Sequence, residues 1–489
     1  MPGADAVDGA EPHVDPAEIV RARWPVLHHA SSRGYRRLVR ACLRGRPPLQ
    51  SAARGGSRAA VTHSEQRPQG AGRSLAVPAG AQSGSRAAPL DVRLRERVKQ
   101  QGLHGSFWPT ATQEALLRIT LGRSDNAAAR WRELQPIDIQ ALDPGSFCLL
   151  PLLYERLSEV APTDIRLPLL RGICRSNWLR NQLLIERVAV SITALREREI
   201  EPLVIGGAAI IARWYSGLGS RPLPQFELAV DPSEAAAAGD TLAADGWRTL
   251  TGDGVHRWFV DPDGRKLVLH EGMPPLVAGP IGRTDALREL RARAGRHAVL
   301  GTPMLMLQPA DELTVACGLG ARTTVPPTIQ WLVDAGKMLA APDRPDRDEL
   351  LARARRHHLV EPVRDTLAYL AQVTASELDV YLTALSAETA SRRETLAYRV
   401  SGAPAGPLGS LPLLLASGLR ATSELPVRQA LSRLPRHVQE AWGATSLRQA
   451  AAFGVRKTMR VVRRQPPPPD ATRHAVFAEA VGRNRSASS

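Results

Sequence analysis

Gln225 and Glu227 stand two positions apart in the segment QFELAV, whose polar and apolar residues alternate as in a half-buried strand. Residues i and i+2 of a strand share a face, so this pair presents an amide carbonyl and a carboxylate side by side. Oxygen ligands so placed are the start of a Mg2+ site, which could neutralise a phosphoryl or nucleotidyl group in transfer. Upstream, the segment LVIGG ends in Gly206 and Gly207. Glycine lets backbone amides come close to phosphate, and the N-terminus of a following helix adds positive dipole, so a triphosphate could sit there. The same pair could equally be a tight strand-to-helix turn. Between the two segments lies Arg221, whose guanidinium could clamp a phosphate bidentately or pair with an acid. His270, in RKLVLHE, is a further site candidate or a hydrogen-bonded structural histidine.

The elements that must hold these residues can be read from pattern and punctuation. WPTATQEALLRITLG predicts a helix begun by Thr and closed by Gly, with Leu116, Leu117 and Leu121 on its apolar side. Leu142 to Val160 reads as a turn and a buried helix. A long helix follows from about Pro168 to Arg198, with Leu184, Val188, Ile192 and Leu195 as a core stripe. LVIGG then predicts a buried strand and a glycine turn, AAIIARWY a helix, and SEAAAAGDTLAADG a helix capped by Ser233 and closed by Gly246. WRTLTG, VHRWFVD and RKLVLHE predict three strands, the last two joined by Pro262-Asp263-Gly264. Beyond Pro303 the pattern is helical to about Leu385. Past Gly402 the segment PAGPLGSLP reads as a linker, and residues 425–462 as one or two basic helices.

The chain has 489 residues, 43% of them hydrophobic, enough for two or three domains with real cores. Its net charge of +16 is unevenly placed. Residues 1–20 carry five acidic and no basic groups, 21–99 carry 17 basic and three acidic, and 451–489 carry eight basic and two acidic. The middle of the chain is therefore nearly neutral, and any polyanion contact is expected to be non-specific and through the tails. Residues from about Gln50 to Pro89 hold too few large apolar side chains to offset ordering entropy and are expected to be disordered. The stretch before them reads as a basic amphipathic helix or as an upstream extension of the reading frame. Cys42, Cys148, Cys174 and Cys317 lack CxxC or His-ligand spacing, which points to reduced thiols and a cytoplasmic protein. No signal peptide and no membrane span is predicted, and LPLLLASGL is too short to cross a bilayer. His357 and His358 are expected to complement a helix C-terminus.

Taken together, WPTATQEALLRITLG, DPGSFCLLPLLYERL, LVIGGAAIIARWYSGLGSRPLPQFELAV, RKLVLHE, PADELTVACGLGA and PTIQWLVDAGKML resemble the bacterial uncharacterised nucleotidyltransferase family, a branch of the DNA polymerase β-like superfamily. The resemblance spans roughly residues 108–390. By it, Gly207 matches a glycine, Tyr215 a helix tyrosine, Arg221-Pro222 the Arg-Pro before the metal strand, and His270 a late histidine. Three metal-binding acids are implied at positions here held by Gln225, Glu227 and Val268, while Gly206 replaces a lysine. One carboxylate of three remains. Asp231, Glu271, Asp261 and Asp263 are conceivable substitutes, or turn and surface acids.

The expected architecture is α+β: a small mixed-sheet nucleotidyltransferase-like domain flanked by N-terminal helices and a C-terminal helical domain, with disordered basic tails. The segments are 1–105, a mostly disordered extension; 106–200, N-terminal helices; 201–300, the α/β core; 301–400, a helical domain; and 401–489, linker, basic helices and tail. The resemblance implies either a divergent enzyme moving NMP from a nucleoside triphosphate to an unknown acceptor, or a descendant that only binds nucleotide. Glu227 would then be the surviving Mg2+ ligand, Gln225 an imperfect co-ligand, Gly206 and Gly207 the phosphate cradle, and Arg221 and His270 substrate-binding groups. The alternative is an inactive interaction module of the same fold, in a natural-product pathway or contacting nucleic acid through its tails.

Overall fold

The computed structural model describes residues 107–449 except 123, 135–136, 138, 140–141, 253–254, 323–328, 375–376, 404–410, 442–445 and 447. The expected disordered extension and the extreme C-terminal tail lie outside the described residues. The fold is α+β, with a seven-stranded mixed sheet at its centre. Its strands are β1 Leu203–Ile205, β2 Phe226–Val230, β3 Arg248–Gly252, β4 His256–Val260, β5 Lys266–Glu271, β6 Gly295–Val299 and β7 Thr302–Met306, in the spatial order β3-β4-β5-β2-β1-β7-β6. β2 runs parallel to β5 and β1 parallel to β7, and the other neighbours are antiparallel.

The β6–β7 hairpin is absent from the sequence expectation, for physical reasons. β6 is an exposed edge strand carrying Arg296 and His297, so it lacks the alternation that marks a half-buried strand. The turn places Leu300 at φ 49° and Gly301 at φ 82°, and a leucine in a left-handed position is not the Asn-Gly signal of such turns. Pro303 within β7 further lowers the strand reading.

Helices cover both faces of the sheet. Val204, Leu228, Leu267 and Leu269 are packed under Leu184, Val188, Ile192 and Leu195 of the long helix and under Ala238 and Leu242 of a second helix. In the described residues we label the helices that matter for the site α1 Ala111–Thr120, α2 Leu150–Val160, α3 Leu167–Arg196, α4 Gly207–Trp214, α5 Ala235–Ala244, α6 Arg283–Arg293, α7 Pro309–Gly320 and α8 Gln330–Ala340. Leu203, Ile205 and Ala229, on the opposite face, meet Leu287 and Leu290 of α6 and Val315 of α7. Each fully buried aliphatic side chain contributes about 1.5–3 kcal/mol, so these two layers fix the sheet.

A third cluster joins helices that lie far apart in sequence: Leu116 and Leu117 of α1 and Leu153 of α2 pack with Leu332 and Val333 of α8 and with Ile210, Trp214 and Tyr215 at α4. α4 thus touches the sheet through Ala208, Ala209 and Ile211 and the helical layer through its other side. Local signals explain the helix starts. Thr110 and Gln113 form a reciprocal capping box on α1. Ser233 is a correction: α5 begins at Ala235, and the Ser233 amide and hydroxyl instead donate to Asp231 at 3.0 and 2.7 Å, closing a turn after β2.

Candidate functional site

Strand register assembles the site on the sheet face that α6 and α7 cover. One row across the sheet reads Ile205, Glu227, Val268, Trp258, and the next reads Leu203, Ala229, His270, His256. The Glu227 side chain leans from its row toward the next, where its Oε2 lies 3.0 Å from His270 Nε2. Its Oε1 accepts from the Gln225 amide at 3.2 Å. Gly206 completes this side: it sits at φ 70°, ψ −142°, and a Cβ there would lie 3.4 Å from Glu227 Oε1. A backbone in that region with a carboxylate pressed against it calls for glycine. Burial opposes ionisation of Glu227, but the bonds from His270 and Gln225 and the nearby Arg322 charge hold its carboxyl below the usual range.

Gly207 has a different task. A Cβ at this position would come within 2.5 Å of Arg221 Nη1 and 2.7 Å of Leu223 Cδ1, so the missing side chain makes room for these two residues. Arg221 is 8% exposed and its fork is committed to Asp334 of α8, with Nε to Oδ1 and Nη2 to Oδ2 both at 2.7 Å. The Tyr215 hydroxyl donates to the same carboxylate at 2.6 Å and accepts from Gln330 at 3.0 Å. Burial works against the charge on Arg221, and Asp334 overrides it, pushing the guanidinium pKa up. The loop before β2 has two further anchors. Asn181 of α3 donates to the Leu218 and Arg221 carbonyls at 2.6 and 2.7 Å and accepts from the Leu223 amide at 3.2 Å, and Glu155 of α2 accepts from Ser216 at 2.8 Å.

The donor set does not fit a pair of divalent ions. Glu227 is the one carboxylate on its row, both of its oxygens are engaged, and Val268 stands beside it with a buried hydrocarbon side chain. A neutral amide does not supply the missing charge. The conceivable substitutes are occupied elsewhere. Asp231 closes the Ser233 turn and meets Arg288, Glu271 pairs with Arg257 at 2.8 Å, and Asp261 and Asp263 each pair with Arg265 at 2.5 Å. Among the described residues no group of three His, Cys, Asp or Glu side chains could hold a metal ion.

One arginine acts on Glu227 from beyond its hydrogen-bond partners. Arg322, just past the end of α7, acts electrostatically on Glu227 and on His256. Arg283 also acts on His256 and donates to the Val255 and Glu271 carbonyls. Burial and then the charges of His270, Arg283 and Arg322 push the His256 ring down to about 3, so it is neutral at physiological pH. Beside α4 lies another buried acid. Glu312 of α7 is 2% exposed, accepts from Trp214 Nε1 at 2.7 Å and lies 3.5 Å from Arg213. Burial raises its pKa to about 7 despite those partners.

Sequence reasoning placed Gly206, Gln225, Glu227 and His270 in the site, and the fold brings these four together. It missed Arg322, His256, Asn181 and Asp334. The polar Asn181 inside an apolar helical stripe, and Asp334 inside the apolar WLVDAG run, were the available signals, since a buried polar residue needs a partner. Nothing local marks Arg322. His357 also departs from expectation: it is buried, its Nδ1 lies 3.0 Å from the Val277 carbonyl, and burial lowers its pKa to about 4.

Residues 148–375 match the model of the uncharacterised nucleotidyltransferase family. No curated protein and no solved structure matches the chain. No helix among the described residues is long and apolar enough to cross a membrane.

Two stability measurements follow from the buried acids. Asp334→Ala leaves Arg221 buried without its partner and should cost about 3–5 kcal/mol in urea denaturation; a loss under about 1 kcal/mol would mean that the pair does not hold the loop. Glu312 has a folded pKa near 7 against an ordinary 4.5, so its contribution to stability is full below pH 4.5 and falls as pH rises toward 7. Glu312→Gln should therefore match the parent near pH 4.5 and exceed it by up to about 3 kcal/mol at pH 8. Equal stability at both pH values would contradict this.

Proposed function

We propose that this nucleotidyltransferase-family chain binds a nucleotide at the Gly206 turn and the Glu227–His270 pair, and does not transfer the nucleotidyl group by a two-metal route. The observation that carries this reading is the state of Glu227: a lone carboxylate, held by His270 at 3.0 Å and Gln225 at 3.2 Å, with Val268 alongside. Two-metal transfer needs an anionic cage to gather divalent ions. Here the cage is reduced to one acid, with Arg322 acting on it and Arg283 on the neighbouring His256, a charge balance that suits an anionic ligand better than a metal ion. The parts that serve phosphate recognition persist, namely a glycine at positive φ feeding the eight-residue helix α4, with its dipole and N-terminal amides.

Each residue then has a defined task. Gly206 allows the backbone to lie against Glu227 and would let phosphate approach the turn. Glu227 fixes the His270 ring by accepting its Nε2 hydrogen. Arg221 is a positioning residue, since its fork is bound to Asp334 and it acts by setting the loop that leads into β2. Cys148, Cys174 and Cys317 are free thiols, in keeping with a cytoplasmic location.

Titration with ATP, GTP, CTP and UTP in the presence of Mg2+, read as melting temperature together with pyrophosphate release, tests this reading. At least one nucleotide should raise the melting temperature, with no pyrophosphate released. Absence of any shift at millimolar nucleotide would count against nucleotide binding. Pyrophosphate release that Glu227→Ala abolishes would establish a transferring enzyme instead.

A further inference from the structure

Arg322 is the charged group of the site whose needs the protein leaves unmet. Its Nε is buried without a hydrogen-bond partner, while the side chain as a whole is half-buried. The Nδ1 of His270 is likewise buried without a partner, although Nε2 of the same ring is bound to Glu227. A buried donor without an acceptor is costly, and so is a buried ring nitrogen with nothing opposite it. Two such groups beside one carboxylate describe a site awaiting an anion. Glu227 does not supply it, because its two oxygens are already engaged by His270 and Gln225. The charge felt at His256 has the same sign, with Arg283 and Arg322 outnumbering Glu227.

We infer that Arg322, together with His270 Nδ1, takes the place of the metal ions and holds a phosphate or pyrophosphate group directly, so that the site binds its anion without a divalent cation. Guanidinium suits this role. Its planar fork of donors matches two phosphate oxygens, it stays charged when desolvated, and it sheds water more readily than an ammonium. His270, oriented by Glu227, meets a third oxygen through Nδ1, accepting from P–OH as a neutral ring or donating to P–O⁻ as a charged one. The inference rests on reading the site as one for phosphate groups, and adds how the charge is neutralised.

The experiment is thermal melting of the full chain with inorganic pyrophosphate and with ATP, each in EDTA and in Mg2+, on the parent, Arg322→Gln and Arg322→Lys. Pyrophosphate in EDTA should raise the parent's melting temperature by about 2 °C or more, with no further rise when Mg2+ is added. Arg322→Gln should lose that response while its ligand-free melting temperature stays level or rises, because a buried donor without a partner has been removed. A structural arginine would instead lower it. Arg322→Lys should retain part of the response. Stabilisation by ATP that appears only with Mg2+ would overturn this inference and leave nucleotide binding standing. Stabilisation by pyrophosphate in EDTA with no response to ATP would uphold the anion site and remove the nucleotide. No response to either ligand in either condition would overturn both.

Discussion

The buried pair between Arg221 and Asp334 ties the loop before β2 to helix α8, and the geometry of the site depends on it. Both partners are almost wholly withdrawn from water, at 8% and 2% exposure. An ion pair in that environment is tolerable only with near-ideal geometry and full hydrogen bonding. Two bonds of 2.7 Å meet the first condition, and the Tyr215 hydroxyl on the same carboxylate helps meet the second. The pair also dictates Gly207, since any larger residue there would collide with the guanidinium. With Asn181 and Glu155 holding the same loop from α3 and α2, the entry into β2 is fixed from three directions, and with it the position of Glu227.

That rigidity serves a site whose electrostatics run opposite to those of a metal cage. Where the family resemblance implies three acids, the chain presents Gln225 just ahead of β2, and Glu227 and Val268 within the sheet. One negative charge remains, already bonded; Arg322 at the end of α7 acts on it, and Arg283 of α6 acts on the neighbouring His256. Loss of carboxylates alone would leave an inert pocket. On the reading proposed above, absent carboxylates beside an arginine with an unpartnered Nε leave a place for an anion, and that combination is what would separate a nucleotide-binding descendant from a mere scaffold.

Much of the fold was legible in sequence because its signals are local. The Leu184 to Leu195 stripe, the LVIGG turn, the Pro262-Asp263-Gly264 hairpin and the Thr110 cap each report short-range chemistry. The hairpin of β6 and β7 was not legible, because its turn rests on Leu300 in a left-handed conformation and its outer strand is an exposed edge. Within the site, residues on the motif strands could be found by spacing, since strand period 2 fixes which share a face. Arg322 could not, because it follows a helix end remote in sequence and acts on Glu227 only through the tertiary fold. Arg221 illustrates a different limit. A phosphate clamp and a buried ion-pair partner require the same residue type, and only the presence of Asp334 across the interface distinguishes them.

On the reading proposed above, the Glu227 site does not gather divalent ions. Titration of Mn2+ into the protein, followed by the loss of the free-ion electron paramagnetic resonance signal, measures this directly. The parent and Glu227→Ala are both expected to leave the free Mn2+ signal undiminished in the absence of nucleotide. Stoichiometric uptake of Mn2+ by the parent, abolished by Glu227→Ala, would contradict the account.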